Sequence, residues 1–293
     1  MVGTQEGGTN QGNSSRRGQT SGLAGLRRVG MAGFFKKLFL PKPPKSISGF
    51  FGDFRSWEQA MKEAGGYEAP TILEKTKAAM REILAGRAKF ERDSVLLPKA
   101  EYPWPLISCL LFTAASNRGR LSVLDFGGAL GSSYYQCRPF LENVPELTWA
   151  VVEQGHYVEA GRVEFSQRPV SFYENPTEAL LGAQPNLLLL SSVLPYLPDP
   201  WTCLRELLTL NIRHVVIDRL PFLEKDKDRL TVQIVPREIY PASYPAWFFS
   251  RSRLLSICTR HGYRERAEWP CADDWNPEGD KANFTGLFLE KSA

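Results

Sequence analysis

Short apolar runs alternate with segments of helical spacing along the C-terminal part of the chain. The apolar runs lie at about 121–126, 147–153, 169–173, 187–191 and 213–218. The helical segments begin near 131 and continue at 157–165, 176–182 and 200–209. Strands that alternate with helices form a parallel sheet covered on both faces. The four leucines at 187–190 predict its buried central strand.

The pattern changes at both ends of this alternating region. After an insertion at about 222–249, a helix at 250–261 and two strands at 263–269 and 284–290 predict a closing antiparallel hairpin. Before it, 54–89 predicts two helices, and 106–115 a strongly apolar third. We therefore predict a helical cap over 50–117 and an α/β domain over 118–293, with seven strands in a mostly parallel sheet.

Residues 1–49 differ in composition from the rest. Residues 1–30 are rich in Gly, Ser, Thr, Gln, Asn and Arg, so we expect 1–49 to be disordered, with translation starting at Met31 as a hypothesis. Residues 1–50 hold eight of the basic residues and one acid, so the rest of the chain is net negative. A net negative domain argues against a nucleic-acid substrate.

The apolar stretch 32–40, AGFFKKLFL, is too short to span a bilayer. It either makes a weak contact with an anionic membrane surface or packs onto its own domain. The five scattered cysteines predict reduced thiols in a cytoplasmic protein and no metal site. With the membrane contact, the protein would be peripheral to the inner face. The sequence does not predict an oligomeric state.

The most informative segment is 121–133, LSVLDFGGALGSS, in which an apolar strand ends in an acid and a glycine-rich turn. Glycine has no Cβ, so the backbone can approach a ligand closely, and the following helix begins with free N–H groups. In α/β folds this turn holds a nucleotide-like cofactor. The predicted cofactor-binding residues here are Asp125, Phe126, Gly127, Gly128, Gly131 and Ser132.

Three kinds of cofactor are compatible with such a turn. A phosphate-binding P-loop requires a lysine that is absent. The dinucleotide motif Gly-x-Gly-x-x-Gly fails at Ala129 and Ser132 when read from Gly127. What remains is acid-x-Gly-x-small-x-Gly, which resembles class I S-adenosylmethionine (SAM)-dependent methyltransferases, with Ala129 at the usual middle glycine. Two alternative interpretations of this segment remain: an NAD or nucleotide-sugar enzyme with a variant turn, and an ordinary strand-to-helix turn.

Polar residues at the ends of the other strands extend the predicted site. Glu153 ends the second strand about 20 residues on, at the spacing of a carboxylate that binds a ribose diol. The same spacing suits NAD. The further cofactor-binding candidates are Gln154, Glu174, Ser191 and Ser192.

Most of the chain from about Phe50 onward resembles a bacterial methyltransferase family often found with surface-polysaccharide genes. The resembling strings are GGYEAP, FERDSVLL, VLDFGGALGSSYYQCRPF, VVEQGHYVEAGR, LLSSVLPYLPDP, VVIDRLPF, DRLTVQIVP and YPASYPAWFFSRSRLL. The resemblance implies the Rossmann-like class I methyltransferase fold and SAM as cofactor. It implies no established acceptor, although the polysaccharide setting suggests a glycan. Tyr196 replaces the histidine that is frequent in this class.

Methyl transfer is an in-line displacement, so an enzyme mainly aligns the nucleophile and excludes water. A hydroxyl nucleophile also benefits from a base. We predict Asp218 as the catalytic base and His156 as the second candidate. The alternative for Asp218 is a salt bridge to Arg219 or Arg213. The predicted acceptor-binding residues are Tyr196, Arg219, Tyr240, Tyr244 and Trp247.

Within the insertion, arginines could also pair with a phosphate or carboxylate of the acceptor: Arg229, Arg237 and, just beyond it, Arg251. The leading hypothesis is a SAM-dependent methyltransferase that acts on a small-molecule or glycan-type acceptor. The second is a catalytically inactive methyltransferase-like binding domain, because Ala129 departs from the motif and no base is unmistakable.

Overall fold

The computed structural model describes residues 48–65, 69–92, 95–97, 101–236, 239 and 242–292. All of them belong to one unit, Pro44–Ala293. The predicted disorder of 1–49, apart from its last two residues, and the predicted membrane contact of 32–40 lie outside the described residues. The acceptor-binding candidate Tyr240 and Arg237 also lie outside them.

A seven-stranded sheet forms the centre of the unit, and its strand order is β11-β12-β8-β7-β4-β5-β6. The strands are β4 (Arg120–Phe126), β5 (Glu146–Val152), β6 (Val170–Tyr173), β7 (Leu187–Ser191), β8 (His214–Leu223), β11 (Tyr263–Pro270) and β12 (Ala282–Lys291). The pairs from β6 to β8 are parallel, whereas β12 is antiparallel to both neighbours. The predicted Rossmann-like fold, a seven-stranded and mostly parallel sheet with an antiparallel C-terminal hairpin, is confirmed.

Helices cover both faces of this sheet. They are α3 (Trp104–Ser116), α4 (Ser132–Cys137), α5 (Gly155–Ala160), α6 (Pro176–Ala183), α7 (Pro200–Thr209) and α8 (Arg251–Arg260). Successive strand residues point to opposite faces. Val123 therefore packs in the layer that contains α3, and its neighbour Leu124 packs in the layer that contains α7. The apolar runs of the sequence are buried on both sides for this reason.

The N-terminal region contributes strands as well as the predicted helices. Its elements are β1 (Gly49–Phe54), α1 (Trp57–Glu63), α2 (Ala69–Leu84) and a short hairpin of β2 (Phe90–Arg92) and β3 (Val95–Leu97). Of these, β1 pairs with β9 (Arg229–Ile234), and β9 pairs with β10 (Ser243–Phe248). The predicted insertion and the N-terminal region therefore share one small antiparallel sheet.

Buried Arg229 fastens this small sheet to the loop before β12. Its guanidinium donates to the carbonyl oxygens of Gly52 and Glu278 and to Asp280, at 2.7 to 2.9 Å. The position of the small sheet over the carboxyl ends of the main strands is fixed by these contacts.

Some predicted boundaries differ from the structure. The predicted strand 213–218 continues to Leu223, because its extension pairs with β12. The predicted helix 157–165 is an α-helix that ends at Ala160 and continues as a π-helical turn, Gly161–Phe165. None of the described helices is long and apolar enough to cross a membrane.

Candidate functional site

A cavity of about 270 Å³ lies where the carboxyl ends of β4, β7 and β8 meet. The parallel register places Asp125 beside Leu189 and Ser191 beside Asp218. We call it the aspartate cavity. It brings together nine of the predicted residues: Asp125, Gly127, Gly128, Ser132, Ser191, Ser192, Tyr196, Asp218 and Arg219. Ligands of open α/β sheets bind at this edge, where the strand order reverses.

The turn after β4 has room only for glycine at two positions. Gly127 has φ +74°, and a Cβ there would lie 2.3 Å from Cγ2 of Val193. A Cβ on Gly128 would lie 2.5 Å from the carboxylate of Asp125. Gly131, with φ +93°, precedes the first residue of α4. The backbone therefore forms a wall of the cavity without side chains.

Three residues other than glycine adopt the left-handed backbone conformation around this cavity. They are Ala129 (φ +50°), Ser192 (φ +55°) and Arg219 (φ +59°), and all three line it. Such a backbone costs about 1–3 kcal/mol per residue and is concentrated at functional sites. Ala129 keeps the left-handed conformation that the usual glycine would adopt freely.

Asp125 is the most deeply buried acid of the cavity, with 1% of its surface exposed. Its Oδ2 accepts a hydrogen bond of 2.9 Å from Nε1 of Trp149, and its buried Oδ1 has no hydrogen-bond partner among the described residues. Burial raises the pKa of Asp125 to about 7, the Trp149 bond opposes this rise, and the nearby charge of Glu153 adds to it. A buried acceptor without a partner is costly unless a ligand satisfies it.

Glu153 follows β5 and lies between two cavities. Its carboxylate accepts hydrogen bonds from the backbone N–H groups of Ala129 (3.2 Å) and Gln154 (2.8 Å). Burial raises the pKa of Glu153, although these two bonds oppose the shift. Glu153, Gln154 and His156 line a second cavity of about 470 Å³. The hydrogen bond to Ala129 links this carboxylate to the glycine turn.

The second cavity, which we call the aromatic cavity, adjoins the aspartate cavity and shares Ala129, Tyr157 and Tyr196 with it. Trp57 of α1 and Tyr244 of β10 complete its wall. The rings of Tyr196 and Tyr244 meet edge to face with centroids 5.5 Å apart. The small sheet and α1 therefore cover the space next to Glu153.

Glu91 of the β2–β3 hairpin is a cavity residue that the sequence did not predict. It is buried, lines the aspartate cavity and accepts a hydrogen bond from Oγ of Ser132. The two residues are 41 positions apart, and no spacing rule relates them. The only sequence signal was the string FERDSVLL, which carried the family resemblance but assigned no role to Glu91.

Asp218 lies on β8 with 6% of its surface exposed. Its Oδ1 accepts both of its hydrogen bonds, from Nε1 of Trp269 (3.1 Å) and Sγ of Cys271 (3.7 Å). Oδ2 receives none from the part of the chain that the structure describes. Burial raises the pKa of Asp218, partly offset by the charge of Arg219.

The predicted salt bridge of Asp218 to Arg219 or Arg213 is replaced by other pairings. Arg219 donates two hydrogen bonds of 3.1 Å to the carboxylate of Asp273. Arg213 pairs with Glu290. Asp218 therefore lines the cavity with a carboxylate whose two described hydrogen bonds come from the uncharged donors Trp269 and Cys271.

Besides Gly131, Glu153, Gln154 and Tyr244, four more of the described predicted residues lie outside the aspartate cavity. His156 lines the aromatic cavity, whereas Asp218 lines the aspartate cavity. Trp247 packs against the core and donates Nε1 to the carbonyl oxygen of Leu197 at 3.1 Å. Glu174 lines a separate surface cavity, because it follows β6 at the edge of the sheet. Phe126 also packs against the core.

The remaining arginines proposed for an anionic acceptor are engaged elsewhere. Arg251 pairs with Glu265 and Glu268 on the outer strand β11, and Arg229 binds within the small sheet as described above. Among the described residues, no group of three or more His, Cys, Asp or Glu is arranged to hold a metal ion. The charge of the candidate site is therefore set by its carboxylates.

No known family model matches the chain, and no curated protein matches it in sequence. Solved structures that it resembles include magnesium protoporphyrin IX methyltransferase from Synechocystis PCC 6803 with bound SAM (14% identity, 64% of this chain, 79% of that chain, TM-score 0.43). A second is the N-terminal domain of EvdMO1 with S-adenosylhomocysteine (SAH) bound (10% identity, 78% of this chain, 98% of that chain, TM-score 0.45). A third is the glycopeptide N-methyltransferase MtfA with SAM (11% identity, 63% of this chain, 87% of that chain, TM-score 0.41). These values are too low to transfer an activity, which has to be inferred from the residues themselves.

Proposed function

We propose that the protein is a SAM-dependent methyltransferase that transfers a methyl group to a small-molecule or glycan-type acceptor. The observation that carries this proposal is the unpartnered Oδ1 of Asp125 in a cavity walled by glycine backbone. A buried carboxylate oxygen of this kind suits a ligand ammonium group, which would supply the missing charged hydrogen bond.

The residues present fit the cofactor. Asp125 would hold its ammonium group, and Glu153 would hold its ribose hydroxyls at the junction of the two cavities. Ser133 also lines the aspartate cavity, and its hydroxyl would donate to the cofactor carboxylate. When bound, SAM supplies a methyl group that its positive sulfur already activates. The chain would orient the reactants and exclude water.

The charge of the aspartate cavity favours SAM over NAD. Glu91, Asp125 and Asp218 all line this small space. They would repel a pyrophosphate and attract a sulfonium and an ammonium group. In addition, Ser132 and Ala129 stand at two glycine positions of the dinucleotide motif.

Calorimetric titration with SAM, SAH and NAD tests the proposal. We expect SAM and SAH to bind and NAD not to bind, and D125N and E153Q to weaken the binding of both adenosyl ligands. Binding of NAD alone would refute the proposal. The inactive binding-domain hypothesis predicts SAM binding without any transfer of a labelled methyl group to cell extracts, whereas a methyltransferase transfers the label.

The acceptor side of the proposal rests on the aromatic wall. Tyr196 and Tyr244 line the aromatic cavity with aromatic rings, on which a sugar ring could pack. The carboxylates next to them disfavour a nucleic acid. A role in bacterial surface-polysaccharide synthesis, in the cytoplasm or at the inner membrane face, stays part of this proposal.

A further inference from the structure

The aspartate cavity carries more negative charge than the proposed cofactor balances. This charge comes from the buried carboxylates of Asp125 and Asp218, which both line it. Its one described guanidinium, that of Arg219, donates two hydrogen bonds to Asp273 and is neutralised by it. SAM brings an ammonium and a sulfonium group but also a carboxylate. A second cationic ligand would therefore fit the charge of this cavity, and an anionic one would not.

Asp218 is the carboxylate that is placed to receive this second ligand. Trp269 and Cys271 both donate to Oδ1, which fixes the orientation of the carboxylate. Oδ2 accepts no hydrogen bond from the described part of the chain, although the residue is 94% buried, with 6% exposed. Ser191, its neighbour in the sheet register, lines the same cavity. A ligand cation would satisfy a charged oxygen of a cavity-lining carboxylate that receives no such donor.

We propose that the methyl acceptor is an aliphatic amine that enters as its ammonium ion and docks on Oδ2 of Asp218. This inference rests on the proposed methyltransferase function and names the substrate class of the same site. Of the arginines that could have held a phosphate or carboxylate, those described pair with acids of the chain itself, Arg219 with Asp273 and Arg229 with Asp280.

The chemical step balances without a further reactant. The ammonium ion gives one proton to Oδ2 of Asp218, and the neutral amine nitrogen then uses its lone pair to form a bond to the methyl carbon. The carbon–sulfur bond breaks, and its electron pair stays on sulfur, which becomes a neutral thioether. The product is a methylated ammonium ion, and Asp218 later releases its proton to water.

Proton matching favours an amine over a hydroxyl at this residue. Proton transfer is efficient when the pKa values of donor and base are not far apart. Burial raises the pKa of Asp218, which brings it closer to the pKa of an ammonium ion. An alcohol remains a much weaker acid than either. Once Asp218 has released its proton, its carboxylate again balances the positive charge on the methylated nitrogen.

Matched amine and alcohol pairs test the proposal on SAH-saturated protein. The probes are glucosamine with glucose and ethanolamine with ethylene glycol, measured by calorimetry below the pKa of each amine. We expect at least one amine to bind tenfold or more tightly than its alcohol in the wild type, and this preference to disappear in D218N. Equal binding within both pairs, or a preference that persists in D218N, overturns the proposal.

Two control variants make these outcomes interpretable. D218E keeps the charge and should retain part of the preference, so a D218N protein that fails to fold does not decide the test. E224Q removes an exposed acid beyond β8 and should leave the preference unchanged. Wild-type protein that does not bind SAH refutes the proposed function itself, whereas SAH binding without an amine preference refutes only this inference.

Turnover provides a second readout that does not depend on the acceptor scaffold. With [methyl-13C]SAM and an extract of the native cells, N-methyl and O-methyl carbons of the products appear in separate regions of the NMR spectrum. We expect N-methyl amines, whose signals move with pH as the amine titrates. Products labelled only as O-methyl ethers or esters contradict the proposal.

Discussion

Trp149 and Asp125 are joined by a hydrogen bond of 2.9 Å from the indole Nε1 to Oδ2, which leaves Oδ1 of the buried carboxylate without a partner. Trp149 itself is fully buried in β5, so it holds Asp125 in place from the adjacent strand. Asp125 lines the cavity whose wall the glycine turn forms. This relationship accounts for both the expected binding and the expected instability of the empty site.

Replacement of Asp125 by Asn should weaken SAM binding by about 2 kcal/mol, roughly thirtyfold in Kd, because a charged hydrogen bond is lost. Asn can still accept the hydrogen bond from Trp149, so the variant should fold. Calorimetry at pH 8, where wild-type Asp125 is ionised, measures the difference. The exposed-acid variant E224Q is the control, and equal Kd values for D125N and wild type would exclude Asp125 as a ligand.

The pH dependence of unfolding provides a test without ligand. Asp125 has a pKa of about 7 in the folded protein against 3.8 for an ordinary aspartate, so it keeps its proton longer when folded. Its stabilising contribution is therefore complete below pH 3.8 and is lost as the pH rises to about 7. We expect the free energy of unfolding of the wild type, minus that of D125N, to fall across this range by at most about 1.4 kcal/mol per pH unit. A difference that rises with pH would contradict the burial of this charge.

Glycines 127 and 279 form a matched pair for the turn. Both have positive φ, +74° and +76°, but a Cβ on Gly127 would overlap Val193, whereas nothing lies within 4 Å of one on Gly279. Alanine at either position carries the left-handed penalty of about 1–2 kcal/mol. We expect G279A to lower the free energy of unfolding, measured in urea, by only this amount. G127A should lower it clearly more and should bind SAM poorly. Equal losses of unfolding free energy in the two variants would mean that the Val193 side chain moves easily to make room for the added Cβ.

The hydrogen bond of Glu91 with Ser132 ties the β2–β3 hairpin to the glycine turn. In a double-mutant cycle, E91Q and S132A should show a coupling energy of about 1 kcal/mol or more in SAM affinity. The cycle of E91Q with S133A is the matched control and should be additive, because Ser133 also lines the cavity but has no described hydrogen bond to Glu91. Additive effects of E91Q and S132A would show that the two side chains act independently.

The main sheet could be predicted because its strands are buried on both faces and read as apolar runs. The small sheet could not, since β1 pairs with β9, which lies far along the chain, and short strands have no measurable period. Tyr244 and Trp247 show the same limit within one strand. Three positions apart, they point to opposite faces, so only Tyr244 faces a cavity.

The candidate site was predictable where its residues lie at the ends of the strands that the sequence predicts, as Asp125, Glu153, Ser191 and Asp218 do. It was not predictable where distant segments contribute. Trp269 and Asp273 reach the site from beyond α8 and fix Asp218 and Arg219, and Glu91 enters from the N-terminal hairpin. These contacts depend on how the closing hairpin and the cap pack, which local spacing does not encode.

The most direct measurement of the central claim is a crystal structure of the protein grown with SAH. We predict electron density in the aspartate cavity, with the ligand ammonium within hydrogen-bonding distance of Oδ1 of Asp125 and the ribose hydroxyls on Glu153. A well-ordered protein that binds SAH elsewhere, or that leaves this cavity empty at saturating SAH, would contradict the account.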